Sequence, residues 1–246
     1  MNASAQPLIR LDGIKKVFYT DEVETHALAG IHLEIAQGEY VAIVGPSGSG
    51  KSSLFRLLLG FETPESGAVF YDGKALDTLD VSAVRRQLGV VLQNGKLATG
   101  SIYENICGGL PLPLEQAWAA ARMAGLDEDI RKMPMGMHTA IAEGINTLSG
   151  GQRQRIMIAR AVARRPRIVL FDEATSSLDN RSQAVVSDSL GALNVTRIVI
   201  AHRLSTVRQA DRIVVISEGK MTQSGTYAEL SETRGLFADF AQRQLL

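Results

Sequence analysis

Short apolar runs recur along the chain and alternate with segments in which apolar residues return every three or four positions. Runs bounded by turn residues are typical of strands, and the periodic segments are typical of amphipathic helices. The predicted strands span residues 8–18, 29–35, 40–44, 68–71, 88–92, 168–171, 198–201 and 213–217. The predicted helices begin near residue 54 and then span residues 81–87, 114–124, 150–162, 180–193 and 236–244.

Strands that alternate with helices in this way predict an α/β fold around a mainly parallel sheet. Between residues 100 and 148 the composition changes, because Ala, Met, Pro and Gly replace the β-branched residues. This change predicts a helical subdomain inserted into the main core. We therefore expect a single domain over residues 1–246, with its core at 1–95 and 163–246 and the helical subdomain at about 96–162.

The predicted strand at residues 40–44 leads into a glycine-rich loop that fits the phosphate-binding pattern G-x-x-x-x-G-K-[ST]. Glycines let the backbone curl so that N–H groups face phosphate oxygens, and the following helix adds its positive N-terminal end. Lys51 is expected to reach the β- and γ-phosphates of a nucleotide, and the Ser52 hydroxyl to bind Mg²⁺. The expected phosphate-binding residues are Gly45, Pro46, Ser47, Gly48, Ser49, Gly50, Lys51, Ser52 and Ser53.

An acidic pair follows the apolar run at residues 168–171. Asp172 falls at the carboxyl end of the predicted strand, which is the edge where open α/β sheets bind ligands. We expect Asp172 to complete the Mg²⁺ shell with Ser52, and Glu173 to polarise an attacking water as general base. Without the phosphate loop, a solvated acidic pair at a strand end would be the simpler interpretation.

A second helix start with anion-binding character lies at Ser149-Gly150-Gly151-Gln152. Ser149 is a good N-cap, and the two glycines expose backbone N–H groups at the positive end of the helix. By itself this segment would also fit a capped helix after a flexible loop.

The bulk composition narrows the range of functions. Lys plus Arg and Asp plus Glu both number 26, so no basic excess indicates binding to nucleic acid. Cys107 is the single cysteine, which excludes an internal disulfide and fits a reducing compartment. Residues 1–7 lack the apolar core of a signal peptide, and no run approaches the ~18 apolar residues of a membrane span. Any role at a membrane is therefore expected to need a partner or a missing segment.

Leu-Ser-Gly-Gly-Gln at 148–152, followed by Ile-Val-Leu-Phe-Asp-Glu at 168–173, resembles the signature sequence and second phosphate-site strand of ABC-type ATPases. The resemblance covers nearly the whole chain. It implies a phosphate-loop NTPase core with a mainly parallel sheet, an N-terminal antiparallel β layer and an inserted helical subdomain. The implied cofactors are ATP and Mg²⁺.

The same resemblance assigns roles to further positions. Gln93 matches the Q-loop, which senses the γ-phosphate, contacts the membrane partner and joins the metal shell. His202 matches the switch histidine that contacts the γ-phosphate. Ser177-Leu178-Asp179 is similar to the D-loop, which adds Asp179 to the nucleotide contacts. Phe18 or Tyr19 falls where the family stacks adenine; spacing favours Phe18, and Tyr19 remains open. The catalytic set is then Glu173, His202, Gln93 and Lys51.

Within the family, Ser101–Ile106 resembles the "x-I-x-E-N-I" stretch of ABC exporters, with Glu104 near the membrane partner. Glu143 is a second candidate contact with that partner. Residues 16–28 instead resemble free-standing ATPase subunits of lipoprotein-release and macrolide-efflux systems. This difference suggests a mosaic, natural or engineered, with simple divergence as the alternative.

The leading functional hypothesis is an ATPase that drives export through a separate or missing transmembrane partner on the cytoplasmic face of the membrane. A soluble ABC protein of translation or DNA repair fits less well, because such proteins usually carry two ATPase domains or a long coiled-coil insertion. An excised or engineered domain that binds ATP without driving transport is the other alternative. The resemblance also implies an ATP-dependent head-to-tail dimer, in which Ser149 and Gly151 of one copy face Lys51 of the other.

Overall fold

The computed structural model describes residues 6–19, 24–142, 148–175 and 177–244. In chain order, the strands are β1 (Ile9–Tyr19), β2 (Glu24–Ile35), β3 (Tyr40–Val44), β4 (Ser66–Tyr71), β5 (Lys74–Ala75), β6 (Leu88–Val91), β7 (Gly100–Ser101), β8 (Ala140–Ile141), β9 (Ile168–Asp172), β10 (Thr196–Ile200), β11 (Arg212–Ser217) and β12 (Lys220–Gly225). The helices are α1 (Lys51–Leu58), α2 (Val81–Arg85), α3 (Ile102–Cys107), α4 (Leu114–Met123), α5 (Asp127–Lys132), α6 (Gly150–Val162), α7 (Asn180–Ala192), α8 (Leu204–Val207), α9 (Tyr227–Glu232) and α10 (Leu236–Arg243). Short 3₁₀ turns lie at Leu76–Thr78 and Gly136–His138.

Two compact units make up the chain. The first, called unit 1, joins the segment up to Arg86 to the segment from Thr196 onward, and the second, unit 2, runs from Gln87 to Val195. The narrower helical subdomain expected at about 96–162 stays a prediction.

Unit 1 contains an antiparallel sheet in the order β2-β1-β4-β5. Its strands alternate buried and exposed positions, so that one face joins the core while the other meets solvent. The Tyr71 hydroxyl donates a 2.8 Å hydrogen bond to the Leu58 carbonyl and so ties this sheet to α1. The expected N-terminal antiparallel layer is thereby confirmed.

Parallel strands form the centre of unit 1. β3 pairs in parallel with β10 on one side and with β11 on the other, while β12 lies antiparallel to β11. All five residues of β3 are buried, as expected for a strand covered on both faces. Because parallel strands end at the same edge, the residues that follow β3 and β10 share one edge of the sheet.

Unit 2 combines a parallel strand pair with a group of helices. β6 pairs in parallel with β9, and the short strands β7 and β8 pair antiparallel. α6 packs against α3, α4 and β6, and α4 also contacts α7. The α/β fold with parallel strands, expected from the sequence, is thus confirmed.

Several elements escaped the sequence patterns for identifiable reasons. β12 is an edge strand whose six residues are exposed or half-buried, so it shows no apolar alternation. β2 begins at Glu24, ahead of the predicted residue 29. Its first three residues pair with β1 but are exposed, so they show no apolar pattern. The segment expected to be a loop at 134–137 enters a 3₁₀ turn at Gly136. Among the described residues, we find no helix that combines the length and the apolar character needed to cross a membrane.

Candidate active site

The glycine-rich loop of unit 1 is pressed against two backbone segments. Gly45, Gly48 and Gly50 have φ of 154°, 75° and 97°, values that disfavour residues with a side chain. A Cβ at Gly45 would lie 1.9 Å from the Ile216 carbonyl oxygen, and one at Gly50 would lie 2.2 Å from the Ala27 carbonyl oxygen. Gly45 and Gly50 therefore require glycine both for conformation and for space, whereas Gly48 requires it for conformation alone.

Lys51 turns back into this loop and is only 6% exposed. Its ammonium donates to the carbonyls of Gly45 at 2.8 Å and Pro46 at 2.7 Å, and to the Ser49 hydroxyl at 3.4 Å. The loop thus holds a buried positive charge at the start of α1.

The start of α1 leaves room for an anion. Its N-cap is Gly50, in the left-handed region, so no side-chain cap competes for the first N–H groups. Ser52 is exposed in the first helical turn, and Ser53 beside it is half-buried. A helix N-terminus beside a lysine ammonium is a donor set that fits a phosphate group.

His202 lies at the same edge of the unit 1 sheet as the loop. The Ala201 N–H donates to the Ile43 carbonyl at 3.1 Å, which fixes the end of β10 beside the end of β3. Pro46, Ser47 and His202 line a cavity of about 430 Å³ together with residues of α10. The Gln244 side chain accepts from the Leu204 N–H at 2.7 Å and donates to the His202 carbonyl, and so spans the backbone around the histidine.

Unit 2 carries the acidic pair at the end of β9. Asp172 is 4% exposed, whereas Glu173 is half-buried and adopts a φ of 54°. A left-handed conformation costs a residue other than glycine about 1–2 kcal/mol, so surrounding contacts must hold it. One of these joins the predicted site residues: the Gln93 amide donates to the Glu173 carboxylate at 3.0 Å.

The Ser149 segment forms the predicted N-cap of α6. The Ser149 hydroxyl accepts from the Gln152 N–H at 3.1 Å, and the Gln152 side chain accepts from the Ser149 N–H at 2.9 Å. This reciprocal capping box uses the N–H groups of Ser149 and Gln152 and does not involve those of Gly150 and Gly151. A Cβ at Gly150 would meet nothing within 4 Å, so the helix start is open.

Asp179 caps the next helix, α7. Its carboxylate accepts from the Ser182 N–H at 2.8 Å and from the Ser182 hydroxyl at 3.1 Å. These bonds, the backbone one first, lower the pKa of the Asp179 carboxyl below its usual value. The exposed Asp179 carboxylate is therefore charged at neutral pH.

Phe18 and Tyr19 lie at the end of β1 in unit 1. The Lys16 ammonium lies 5.2 Å from the centroid of the half-buried Phe18 ring, whereas Tyr19 is 67% exposed. Successive strand residues point to opposite faces, so only one of the two rings can serve a given ligand face.

The exporter-like stretch at 101–106 has a local structural explanation. Ser101 and Glu104 form a capping box at the start of α3, and the hydrogen bonds from Ser101 lower the pKa of the Glu104 carboxyl.

Sequence reasoning missed the role of Asn105, which is 3% exposed. Its side chain bonds the N–H and carbonyl of Ala98 at 2.9 and 2.8 Å and accepts from the Arg160 guanidinium at 2.6 Å. Glu143, the other expected partner contact, lies outside the described residues.

Sequence reasoning also missed two glutamines that contact the backbone around proposed catalytic residues, Gln154 and Gln244. Both are separated in sequence from the residues they contact. The signal that could have indicated Gln154 is a polar residue on the apolar, buried side of α6.

Comparison with known proteins gives consistent results. The profile of the ABC transporter family matches residues 28–176. The leukotoxin export ATP-binding protein LtxB of Aggregatibacter actinomycetemcomitans is 46% identical over 222 residues, which are 89% of this chain and 31% of that protein. The leukotoxin translocation ATP-binding protein LktB of Mannheimia haemolytica gives the same identity and coverage. The chain therefore spans about a third of the length of these relatives.

A solved structure described as a bacterial Atm1-family ABC exporter with ATP bound is similar to 98% of this chain and 42% of its own, with a TM-score of 0.92 and 36% identity. The leukotoxin export protein matches 89% of the chain by itself, so the comparisons give no support to a mosaic. The family profile covers more than half of the chain and includes the phosphate loop, the signature segment and the acidic pair. The chain belongs to the ABC transporter family, as an ATPase domain homologous to the ATP-binding proteins of exporters.

Proposed function

We propose that this chain binds ATP with Mg²⁺, hydrolyses the ATP and passes the resulting conformational change to a transmembrane export partner. The observation that carries the proposal is the Lys51 ammonium, buried in a glycine loop at an uncapped helix start. The exporter relatives support the transport role. The excised-domain alternative has no specific observation in its favour.

Phosphate binding is assigned to unit 1. The backbone N–H groups of 45–53 and the Lys51 ammonium take the β- and γ-phosphates, and the ring of Phe18 or Tyr19 stacks on adenine. For the metal, the Ser52 hydroxyl, the Asp172 carboxylate and the Gln93 amide oxygen are all hard oxygen donors, which suits Mg²⁺. When bound, the metal neutralises charge on the phosphates.

The hydrolytic step is assigned to three side chains. Glu173 accepts a proton from the attacking water, and Gln93, which donates to that carboxylate at 3.0 Å, orients it. His202 donates to the γ-phosphate as negative charge develops on its oxygens. These roles fit the carboxylate and imidazole chemistry of the residues.

Two copies are proposed to share their nucleotides. The open start of α6, with Ser149, Gly150, Gly151 and Gln152, binds the γ-phosphate held by Lys51 of the partner copy, and Asp179 lies near the same junction. Such an arrangement is two-fold symmetric, so each copy gives the contact that it receives. Loss of the shared phosphate loosens the dimer, and this opening acts on the transmembrane partner near Gln93 and Glu104, at the cytoplasmic face.

The ATPase assignment is tested with Lys51→Ala and a matched control, Lys74→Ala, at an exposed lysine of β5. We expect Lys51→Ala to lose ATP turnover at least about 100-fold because the phosphates lose their nearest cation. Lys74→Ala should match the wild type in phosphate-release assays. Equal turnover in all three folded proteins would overturn the assignment.

The shared-site proposal is tested by sizing Glu173→Gln, which is expected to bind ATP and hydrolyse it slowly. It should form a dimer with ATP–Mg²⁺ and remain monomeric with ADP–Mg²⁺, because only ATP carries the bridging γ-phosphate. The double variant Lys51→Ala/Glu173→Gln provides the control and should stay monomeric. Monomers throughout, at tens of micromolar, would contradict nucleotide-driven dimerisation of this chain.

A further inference from the structure

Gln154 lies on α6, five residues after Ser149, and is 9% exposed. Its amide nitrogen donates to the Glu173 carbonyl at 3.1 Å. Its amide oxygen accepts from the Ser177 N–H at 2.9 Å. One side chain therefore holds the backbone at two points of the segment that starts with the proposed general base.

This segment needs such support. Glu173 has a φ of 54°, so its backbone lies in a region that its own side chain disfavours. A hydrogen bond to the Glu173 carbonyl fixes the peptide plane that joins Glu173 to Ala174. The start of α6 is close to the same place, since a Cβ at Gly151 would lie 3.3 Å from the Ser177 carbonyl oxygen.

We propose that Gln154 is a positioning residue for ATP hydrolysis, which orients Glu173 by fixing the backbone at Glu173 and Ser177. The inference rests on the proposed function, because it requires Glu173 to act on the attacking water. Gln93 contacts the carboxylate of Glu173, whereas Gln154 contacts its carbonyl, so the side chain and the backbone of one residue are held separately.

A consequence for coupling follows from the position of Gln154 on α6. Ser149 is the N-cap of the helix that carries Gln154, and the two residues are about 7.5 Å apart along its axis at 1.5 Å per residue. A contact made at the start of this helix by a second copy is thereby mechanically joined to the Glu173 of the same chain. Binding of the partner copy's nucleotide at Ser149 and orientation of the Glu173 carboxylate are thereby coupled.

The test compares Gln154→Met with Gln116→Met. Methionine keeps the length and bulk of glutamine but makes neither hydrogen bond. Gln116 is the matched control because it donates a 2.6 Å hydrogen bond to the Ala163 carbonyl, at the far end of the same helix. Both variants lose a glutamine–backbone contact within unit 2, and only one of them loses the contact with Glu173.

Two readouts are measured on the purified chain. Gln154→Met should lower kcat at least about tenfold and leave the KM for ATP within about twofold of wild type. Native-state hydrogen exchange should show the Ser177 amide exchanging at least about tenfold faster in this variant. Gln116→Met should leave both quantities unchanged. A third variant, Gln154→Glu, keeps the acceptor for Ser177 but places an oxygen against the Glu173 carbonyl, so it should protect Ser177 and still lower kcat.

The outcomes separate the inference from the proposed function. A Gln154→Met protein with wild-type kcat, or a Gln116→Met protein with the same loss, would overturn the positioning role. Unchanged exchange at Ser177 would overturn the contact itself. A wild-type chain that neither binds nor hydrolyses ATP would defeat the proposed function, while the exchange experiment would still decide whether Gln154 holds this backbone.

Discussion

The two units hold their proposed catalytic groups by different means. In unit 1 the phosphate loop is shaped by backbone contacts so close that Gly45 and Gly50 leave no room for a Cβ. In unit 2 the acidic segment is held by side-chain amides from Gln93 and Gln154. A phosphate site needs many N–H groups, which only a closely packed backbone supplies, whereas a general base needs one carboxylate in one orientation. Substitutions should therefore have different consequences in the two units.

The sharpest contrast is expected between Gly45→Ala in unit 1 and Gly150→Ala in unit 2. An alanine at Gly45 meets the Ile216 carbonyl oxygen at 1.9 Å, so we expect a loss of about 3 kcal/mol or more in unfolding free energy. At Gly150, where nothing lies within 4 Å, alanine should leave stability unchanged or raise it by up to about 1 kcal/mol. Urea unfolding measures both, and similar losses would remove the contrast.

Asn105→Ala tests whether unit 2 depends on side-chain hydrogen bonds for its stability. Removal of the Asn105 side chain leaves the Ala98 N–H and carbonyl without their partner. The guanidinium of the half-buried Arg160 then faces the space that this side chain filled. We expect a loss of about 2–3 kcal/mol in unfolding free energy. The exposed Asn94 provides the control, and Asn94→Ala should stay within about 0.5 kcal/mol of wild type. Equal stability of the two variants would contradict this dependence.

The adenine contact at the end of β1 is resolved by Phe18→Ala and Tyr19→Ala. Removal of the ring that stacks on adenine should raise the dissociation constant for ATP about fivefold, because aromatic stacking contributes about 1 kcal/mol. Spacing favours Phe18, and Tyr19→Ala then serves as its control. A fluorescent nucleotide titration distinguishes the two, and equal affinities for both variants would argue against a stacking role for either ring.

An effect of similar size is expected for Gln244→Ala, at the end of α10. Unit 1 resembles unit 2 here, because one glutamine amide spans the backbone around a proposed catalytic residue, His202. Since Gln244 is exposed, the lost contacts should cost about 1 kcal/mol and lower kcat about fivefold. The exposed Gln242 on the same helix offers a matched control. If Gln242→Ala lowers kcat equally, the hydrogen bonds of Gln244 around His202 have no special role.

The sequence predicted those parts of the molecule that depend on local patterns. The phosphate loop, the Ser149 cap and the buried β9 strand each follow from a few adjacent residues, and each was found where expected. The contacts of Gln154, Asn105 and Gln244 join segments 19, 55 and 42 residues apart, so no local pattern reveals them. β12 was missed because an exposed edge strand needs no apolar face. Two capping boxes, at Ser101–Glu104 and Thr226–Glu229, did leave a readable S/T-x-x-E signal.

The position of Lys51 has a consequence for nucleotide exchange. Its ammonium already has three oxygen partners within the loop, so the lysine is dehydrated and held in place before any anion arrives. Arrival of a nucleotide is then expected to exchange one set of oxygen partners for another around an ammonium that is already in position. Under the proposed function, we expect the replacement of ADP by ATP to be a local competition among oxygen atoms around this ammonium.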